Sequence, residues 1–120
     1  MWLGHPRCVA CDYIGPETLW GSVMGSEQGF LIQDEQTLAL RAATLPYHPD
    51  FARRKDDTDR DFDDRFATRA ATELGDQLRP GERIVPVSGM VRVATGSGRE
   101  PSLLCPVCRV ELAWEHTFIP

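Results

Sequence analysis

Four cysteines place the strongest constraint on how this chain folds. They form two CxxC pairs, Cys8 with Cys11 and Cys105 with Cys108, and the 120 residues contain no other cysteine. Two such pairs supply the four thiolates of a tetrahedral zinc site. Because 93 residues, 12 to 104, separate the pairs, a shared site requires the two ends of the chain to meet. We therefore expect these four cysteines to bind one structural Zn²⁺.

The residues around the pairs resemble the knuckles of zinc-ribbon-type four-cysteine proteins. Strand-forming residues follow both pairs, and the second pair has the proline after its first cysteine that is common in such knuckles. Glycine often follows the second cysteine, where this chain has Asp12 and Arg109, and arginine tolerates a left-handed backbone less well than aspartate. The resemblance implies an α+β fold in which residues 1–14 and 103–119 form a split zinc ribbon around an inserted α+β body, residues 15–102.

Two other interpretations of the cysteines are left open by their spacing. A redox-active CxxC pair needs a helix start that lowers a thiol pKa, and neither pair precedes a helical pattern, so a thiol redox protein is the less favoured alternative. An iron site of rubredoxin type has the same spacing as a zinc site. Four thiolates leave no position for water or substrate, which favours a structural metal over a catalytic one.

The composition predicts a single globular domain, residues 1–120. Hydrophobic residues make up 42% and charged residues 26% of the chain, which are ordinary globular values. The net charge is -5, and Zn²⁺ with four thiolates would add about -2, which disfavours a general nucleic-acid coat. No apolar run reaches the length of a signal peptide or the ~20 residues of a membrane span. We expect a cytoplasmic protein that does not contact the membrane.

Three short elements and a longer helix are predicted in the first half. Trp2 and Leu3 begin a strand that leads into the first cysteine pair. Pro16 can start one or two turns of helix. Residues 29–32 are typical of a buried strand, after which Asp34 can cap a helix with three apolar residues on one face, Leu38, Ala42 and Leu45.

The clearest helical pattern begins after Thr58. Four apolar residues recur at every fourth position, namely Phe62, Phe66, Ala70 and Leu74. Thr58 and Asp61 match a capping box, and Gly75 can end the helix. Asp61 and Arg65 have the spacing of an i,i+4 ion pair, and we interpret the charged face as a solvated surface.

After residue 81 the pattern changes to β. Residues 83–87 and 90–94 flank Ser88-Gly89, which predicts a hairpin, although Pro86 restricts its strand to an edge or a bulge. Five apolar or aromatic residues then alternate with other residues near the end of the chain, Val110, Leu112, Trp114, His116 and Phe118. This alternation predicts a final strand.

The sequence gives weaker support for other metal-binding or catalytic residues. His5 could compete with the cysteines for the metal, but we interpret it as a neighbour of the site, and His116 as a core residue of the last strand. His48 and Asp50 could form an acid/base pair, yet no nucleophile or oxyanion donor accompanies them. The alternating Asp57, Asp59 and Asp61 begin like an EF-hand loop, but phenylalanine and threonine occupy its glycine and glutamate positions.

Two classes of function follow from the sequence. The first is a non-enzymatic protein-interaction or regulatory module, whose partner is another protein that binds an edge strand, the acidic helix or an exposed aromatic. The second is a nucleic-acid-associated factor with a local basic patch of Arg7, Arg53, Arg54, Lys55 and Arg109. An enzyme is less favoured, and the sequence does not specify the partner or the oligomeric state.

Overall fold

The computed structural model describes residues 2–20, 27–85 and 103–118. These residues form a mixed α+β structure with one α-helix and two three-stranded antiparallel sheets. The strands are β1 (Trp2–Arg7), β2 (Thr18–Trp20), β3 (Glu27–Asp34), β4 (Leu40–Pro46), β5 (Glu82–Val85) and β6 (Ala113–Phe118). The helix is α1 (Asp59–Leu74), and 3₁₀ turns cover Pro49–Phe51 and Gly75–Gln77.

The first sheet, ordered β2–β1–β6, brings the two ends of the described chain together. Strand β1 pairs with β6 from Trp2 opposite Phe118 to Arg7 opposite Ala113. The strand predicted at Trp2 is therefore confirmed. Of the alternating stretch near the end of the chain, Ala113–Phe118 forms β6, whereas Val110 and Leu112 lie before the strand and differ in burial, with Val110 exposed and Leu112 buried. Because the ladder ends at Arg7 and Ala113, it places the segments that carry the two cysteine pairs at one end of this sheet.

The second sheet, ordered β4–β3–β5, has a central strand that is buried on both faces. Phe30 and Ile32 point into a core that includes the apolar face of α1. Leu31, between them, belongs to a second core that contains Cys8 and Cys105. The predicted buried strand at residues 29–32 is confirmed, and it separates the helix from the cysteines.

Helix α1 begins as the sequence predicts. The Thr58 side chain accepts a hydrogen bond from the Asp61 amide, and the Asp61 carboxylate accepts one from the Thr58 amide, which completes the capping box. The four residues of the predicted apolar face are all buried, and the ring of Phe66 packs on Phe30 and Phe51. These aromatic rings are buried where the helix packs against β3 and the Pro49–Phe51 turn.

The helix predicted after Asp34 is wrong, because this segment forms a turn followed by strand β4. The Asp34 carboxylate does accept amide hydrogen bonds, but from Gln36 and Thr37, and it closes a turn rather than a helix. Leu38 then adopts a left-handed backbone, with φ 64°. Strand β4 pairs with β3 along almost its whole length, so long-range pairing determines the structure of a segment whose apolar spacing also fits a helix.

The short helix predicted at Pro16 is also wrong, since Thr18–Trp20 is strand β2, paired with β1. Of the predicted hairpin, residues 83–85 lie in β5, and residues 86–94 lie outside the described residues. The described part of the chain contains no helix with the length and apolar character needed to cross a membrane.

A network of ion pairs attaches the loop before α1 to the helix. Arg65 does not form the predicted pair with Asp61; it donates two hydrogen bonds to Asp57, at 2.6 and 3.0 Å. Both side chains are mostly buried, with 17% and 10% exposed, so this part of the charged face is not a solvated surface. The guanidinium of Arg65 lowers the pKa of Asp57 to about 2.

The Asp57–Arg65 pair predicts a pH-dependent stability difference between the wild type and an Asp57→Asn variant. A carboxylate whose pKa is lower in the folded state stabilises the fold above its unfolded pKa, and this contribution is lost as the pH falls through the folded pKa. The variant should therefore be less stable than the wild type at pH 6, and the difference in urea midpoint should shrink from about pH 5 toward pH 2. Asp64→Asn, at an exposed position, should show little difference at any pH. A pH-independent difference for Asp57→Asn would contradict the assignment.

Gly15 packs directly against Pro6, and this contact predicts a second stability effect. A Cβ atom at Gly15 would lie 2.5 Å from Cγ of Pro6, so Gly15→Ala should destabilise the protein by about 1–3 kcal/mol through overpacking. Pro6→Ala removes the obstructing ring atoms. The double variant should therefore be more stable than the sum of the two single effects predicts, as measured by urea unfolding; strictly additive effects would show that the contact is not the cause.

Candidate metal centre

The four cysteine thiols converge on one point. Their Sγ atoms all lie within 4.8 Å of one another. Two short distances join the pairs to each other: Cys8 to Cys108 at 3.3 Å and Cys11 to Cys105 at 3.6 Å. All four cysteines are unbridged thiols. The convergence expected from the sequence is thus present in the structure.

The first pair lies in a tight turn that follows β1, here called the first knuckle (residues 8–14). The Cys8 amide donates to the carbonyl of Tyr13 at 3.0 Å, and Arg7 and Ile14 form an isolated β-bridge. The chain therefore reverses direction around the cysteines. The amides of Ala10 and Tyr13 donate to the sulfurs of Cys8 and Cys11 respectively, so each thiol receives a hydrogen bond from the residue two positions later.

The second pair lies in an equivalent turn before β6, the second knuckle (residues 105–111). The Cys105 amide donates to the carbonyl of Val110 at 2.8 Å, the same five-residue spacing as in the first knuckle, and the Val107 amide donates to Cys105 Sγ at 3.3 Å. Arg109 adopts the left-handed conformation with φ 63°. This chain thus places an arginine in the backbone conformation that glycine accommodates most easily.

One cysteine of each pair is a core residue. Cys8 and Cys105 are 1% and 0% exposed, and they pack with Leu31, Val85 and other apolar residues of the second core. Cys11 is half-buried, whereas Cys108 is exposed. The cluster therefore lies at the boundary between β3 and solvent, with two sulfurs anchored in the interior.

The pKa values of Cys8 and Cys11 shift in opposite directions under the combined effect of burial, amide hydrogen bonds and neighbouring thiols. Burial opposes ionisation of Cys8, but hydrogen bonds from the Ala10 amide and the Cys108 thiol outweigh it and lower its pKa to about 7. At Cys11 the Tyr13 amide favours the thiolate, yet burial and the neighbouring sulfurs raise the pKa to about 12. A cation is therefore needed for all four sulfurs to be thiolates together near neutral pH.

The donor set and its geometry fit a tetrahedral metal ion. A metal–sulfur distance of about 2.3 Å places the sulfurs of a tetrahedral site roughly 3.8 Å apart, close to the observed distances of 3.3 and 3.6 Å. Among the residues that the structure describes, these four form the cluster of cysteine, histidine and acidic side chains that can hold a metal. Neither knuckle stands at the start of a helix, in contrast to the redox-active pairs that depend on one.

The candidate histidines have other partners. Nε2 of His5 lies 3.2 Å from the Glu115 carboxylate, so the residue contacts β6 and is not part of the thiol cluster. Nδ1 of His48 accepts a hydrogen bond from the Asp50 amide and caps a 3₁₀ turn. The backbone of His116 pairs with Gly4 in the first sheet, and its side chain lies outside what the structure describes.

Most residues of the predicted basic patch, and the three alternating aspartates, have separate partners. Arg7 contacts Glu115, Arg53 contacts Asp59, and Arg54 contacts Asp50. The Arg109 guanidinium donates to the carbonyl of Gln36 at 3.5 Å. Of the three alternating aspartates, Asp57 binds Arg65, Asp59 binds Arg53 and Asp61 caps the helix, so they do not converge on one cation.

Sequence reasoning missed Gln33, which connects the second knuckle to strand β3. Gln33 is 1% exposed. Its Nε2 donates to the carbonyls of Leu38 and Leu104, each at 3.2 Å, and its Oε1 accepts from Arg83 at 2.8 Å. Leu104 immediately precedes Cys105, so this side chain fixes where the second pair begins. A glutamine in an apolar strand pattern was the available signal, because a buried amide needs partners.

Gln33→Met should weaken metal binding while leaving the four cysteines intact. Methionine keeps the length of the side chain but cannot donate to Leu104, and removal of a group that orients the metal ligands typically costs about 10–100-fold in affinity. Competition with a chromophoric zinc chelator measures the effect. Gln28→Met is the matched control, because Gln28 is also buried in β3 but donates to Gly29 within its own strand. Equal losses in both variants would show a general effect on β3 instead.

Comparison with known proteins assigns no family to this fold. No family model matches the chain, and neither the curated proteins nor the solved structures include one similar to it. The resemblance to zinc-ribbon-type proteins therefore rests on the two knuckles alone. The four converging thiols are the feature of this protein from which a function can be argued.

Proposed function

We propose that this protein is a small zinc-binding protein in which a structural four-cysteine site supports a non-enzymatic protein-interaction or regulatory module. The observation that carries the proposal is the convergence of four thiols within 4.8 Å from two knuckles whose cysteine pairs are separated by 93 residues. In this proposal residues 1–14 and 103–119 form a split zinc ribbon, residues 15–102 form the inserted body, and the whole is one cytoplasmic domain.

A structural role follows from the closed ligand set. Four thiolates satisfy a tetrahedral Zn²⁺ without a water or substrate position, and zinc binding to such sites contributes about 10 kcal/mol or more to folding. Zinc is favoured over iron because a structural role needs no redox change at the metal. The metal, when bound, supplies the positive charge that lets the sulfurs ionise together; Cys8 and Cys105 transmit its position to β3 through their contacts in the second core.

The alternative functions have less support. A nucleic-acid-associated factor needs free cations for phosphate contacts, and Arg7, Arg53 and Arg54 each contact a carboxylate. A CxxC redox protein needs a helix start that lowers the pKa of one thiol, and neither knuckle stands at the start of a helix. The protein-interaction module is therefore the function that we favour.

The metal prediction is one zinc per chain, measured by native mass spectrometry before and after chelation. Removal of the metal should lower the melting temperature by roughly 10 °C or more, because the binding free energy contributes to folding. Cys8→Ser and Cys105→Ser should lower it by similar amounts, since both residues are buried ligands of the same site.

Val9→Ser and Val107→Ser are the matched controls, because they introduce the same side chain into the same two knuckles at exposed positions. Both should retain zinc and the wild-type melting temperature. The shared site would be contradicted by a wild-type chain that holds no metal, has four titratable thiols and has the same melting temperature before and after chelation. Iron in place of zinc would contradict the identity of the metal but not its structural role.

A further inference from the structure

The two knuckles expose an unusual amount of aliphatic surface. Four of their side chains are exposed, which we call the knuckle surface: Val9 (75%), Ile14 (63%), Val107 (70%) and Val110 (43%). Among the residues whose side-chain burial the structure describes, Tyr47 is the other exposed large hydrophobic residue, at 39%. Scattered apolar residues on a protein surface are normal, but a contiguous patch marks an interaction site.

These four residues belong to two knuckles that converge on one point. Val9 lies between the cysteines of the first pair and Val107 between those of the second, and the sulfurs of both pairs lie within 4.8 Å of one another. Val110 hydrogen-bonds through its carbonyl to Cys105, and Ile14 bridges to Arg7, which precedes Cys8. The convergence of the thiols therefore brings the two knuckles, which are distant in sequence, next to each other, and both carry exposed aliphatic side chains.

The charge around the knuckle surface is negative. Asp12, Glu17 and Glu111 are exposed in or beside the two knuckles, against one cation within the knuckles, Arg109, whose guanidinium extends to the carbonyl of Gln36. Arg7 and Glu115 contact each other, so they add no net charge. A zinc ion with four thiolates contributes about -2 more, on the same side of the molecule.

We infer that the knuckle surface binds a segment of another protein in which lysine or arginine residues flank aliphatic side chains. The inference rests on the proposed function, because the metal holds the two knuckles together and supplies part of the charge. Aliphatic side chains of the partner cover the exposed valines, and its cations complement the surrounding carboxylates. A second copy of this chain would bring the same negative charges together, and nucleic acid would be repelled.

Three synthetic twelve-residue peptides test the partner chemistry against ¹⁵N-labelled, zinc-loaded protein. One alternates leucine with lysine, one serine with lysine, and one leucine with glutamate. The leucine–lysine peptide should shift the amide resonances of residues 8–14 and 105–111 and should bind at least tenfold more tightly than the other two. If the serine–lysine peptide binds as tightly as the leucine–lysine peptide, the apolar part of the inference is wrong. If the leucine–glutamate peptide binds as tightly, the electrostatic part is wrong.

Variants locate the binding surface. A Val9→Ser, Val107→Ser double variant should weaken leucine–lysine binding at least tenfold, and Asp12→Asn with Glu111→Gln should weaken it and flatten its salt dependence. Tyr47→Ser, at an exposed hydrophobic residue outside the knuckles, should bind as the wild type does. Peptide shifts centred on the acidic start of α1 would place the site elsewhere and overturn the inference.

Two further outcomes contradict the knuckle surface as proposed. Knuckle resonances that shift with protein concentration in the absence of peptide would identify a second copy as the occupant. Preferential binding of a single-stranded oligonucleotide, weakened by salt, would identify nucleic acid. A wild-type chain that holds no zinc would contradict the proposed function itself, whereas a zinc-loaded protein that ignores all three peptides would contradict this inference alone.

Discussion

Strand β3 is buried on both faces, and the rest of the described structure depends on that double burial. One face carries Phe30 and Ile32 against α1, and the other carries Leu31 against Cys8 and Cys105. A strand in this position cannot slip by one residue without exchanging the two sets of contacts. The helix and the metal centre are therefore held in a fixed relation by one strand, although they belong to separate core clusters.

The position of β3 also explains how distant knuckles can form one site. A loop of 93 residues is not a large entropic obstacle, because each doubling of loop length costs only about 0.6 kcal/mol. The site instead requires that the two cysteine-bearing segments have the correct relative orientation. The β1–β6 ladder aligns the segments that lead into the knuckles, Leu31 and Val85 pack beneath the two buried thiols, and Gln33 holds the residue before Cys105. A metal would then bind ligands that the protein has already placed close together.

The features that could be predicted from the sequence are those set by local chemistry. The spacing of the cysteines, the Thr58–Asp61 capping box and the four-residue apolar repeat of α1 need only their immediate neighbours. The segment after Asp34 could not be assigned in this way, because its apolar spacing fits both a helix and a strand and the partner β3 decides between them. The pairing of Arg65 with Asp57 was missed for a similar reason: it depends on how the preceding loop folds back onto the helix.

Local sequence patterns likewise predict the metal ligands but not the surface that surrounds them. Cysteine spacing identifies the ligands, yet it does not reveal that the valines between them are exposed or that a carboxylate neutralises the neighbouring Arg7. Those properties arise only when the two knuckles meet and the first sheet places Arg7 beside Glu115. The convergence of the two knuckles thus creates an apolar, negatively charged surface that neither end of the chain has alone, and in the proposed function a bound metal would stabilise that surface along with the site.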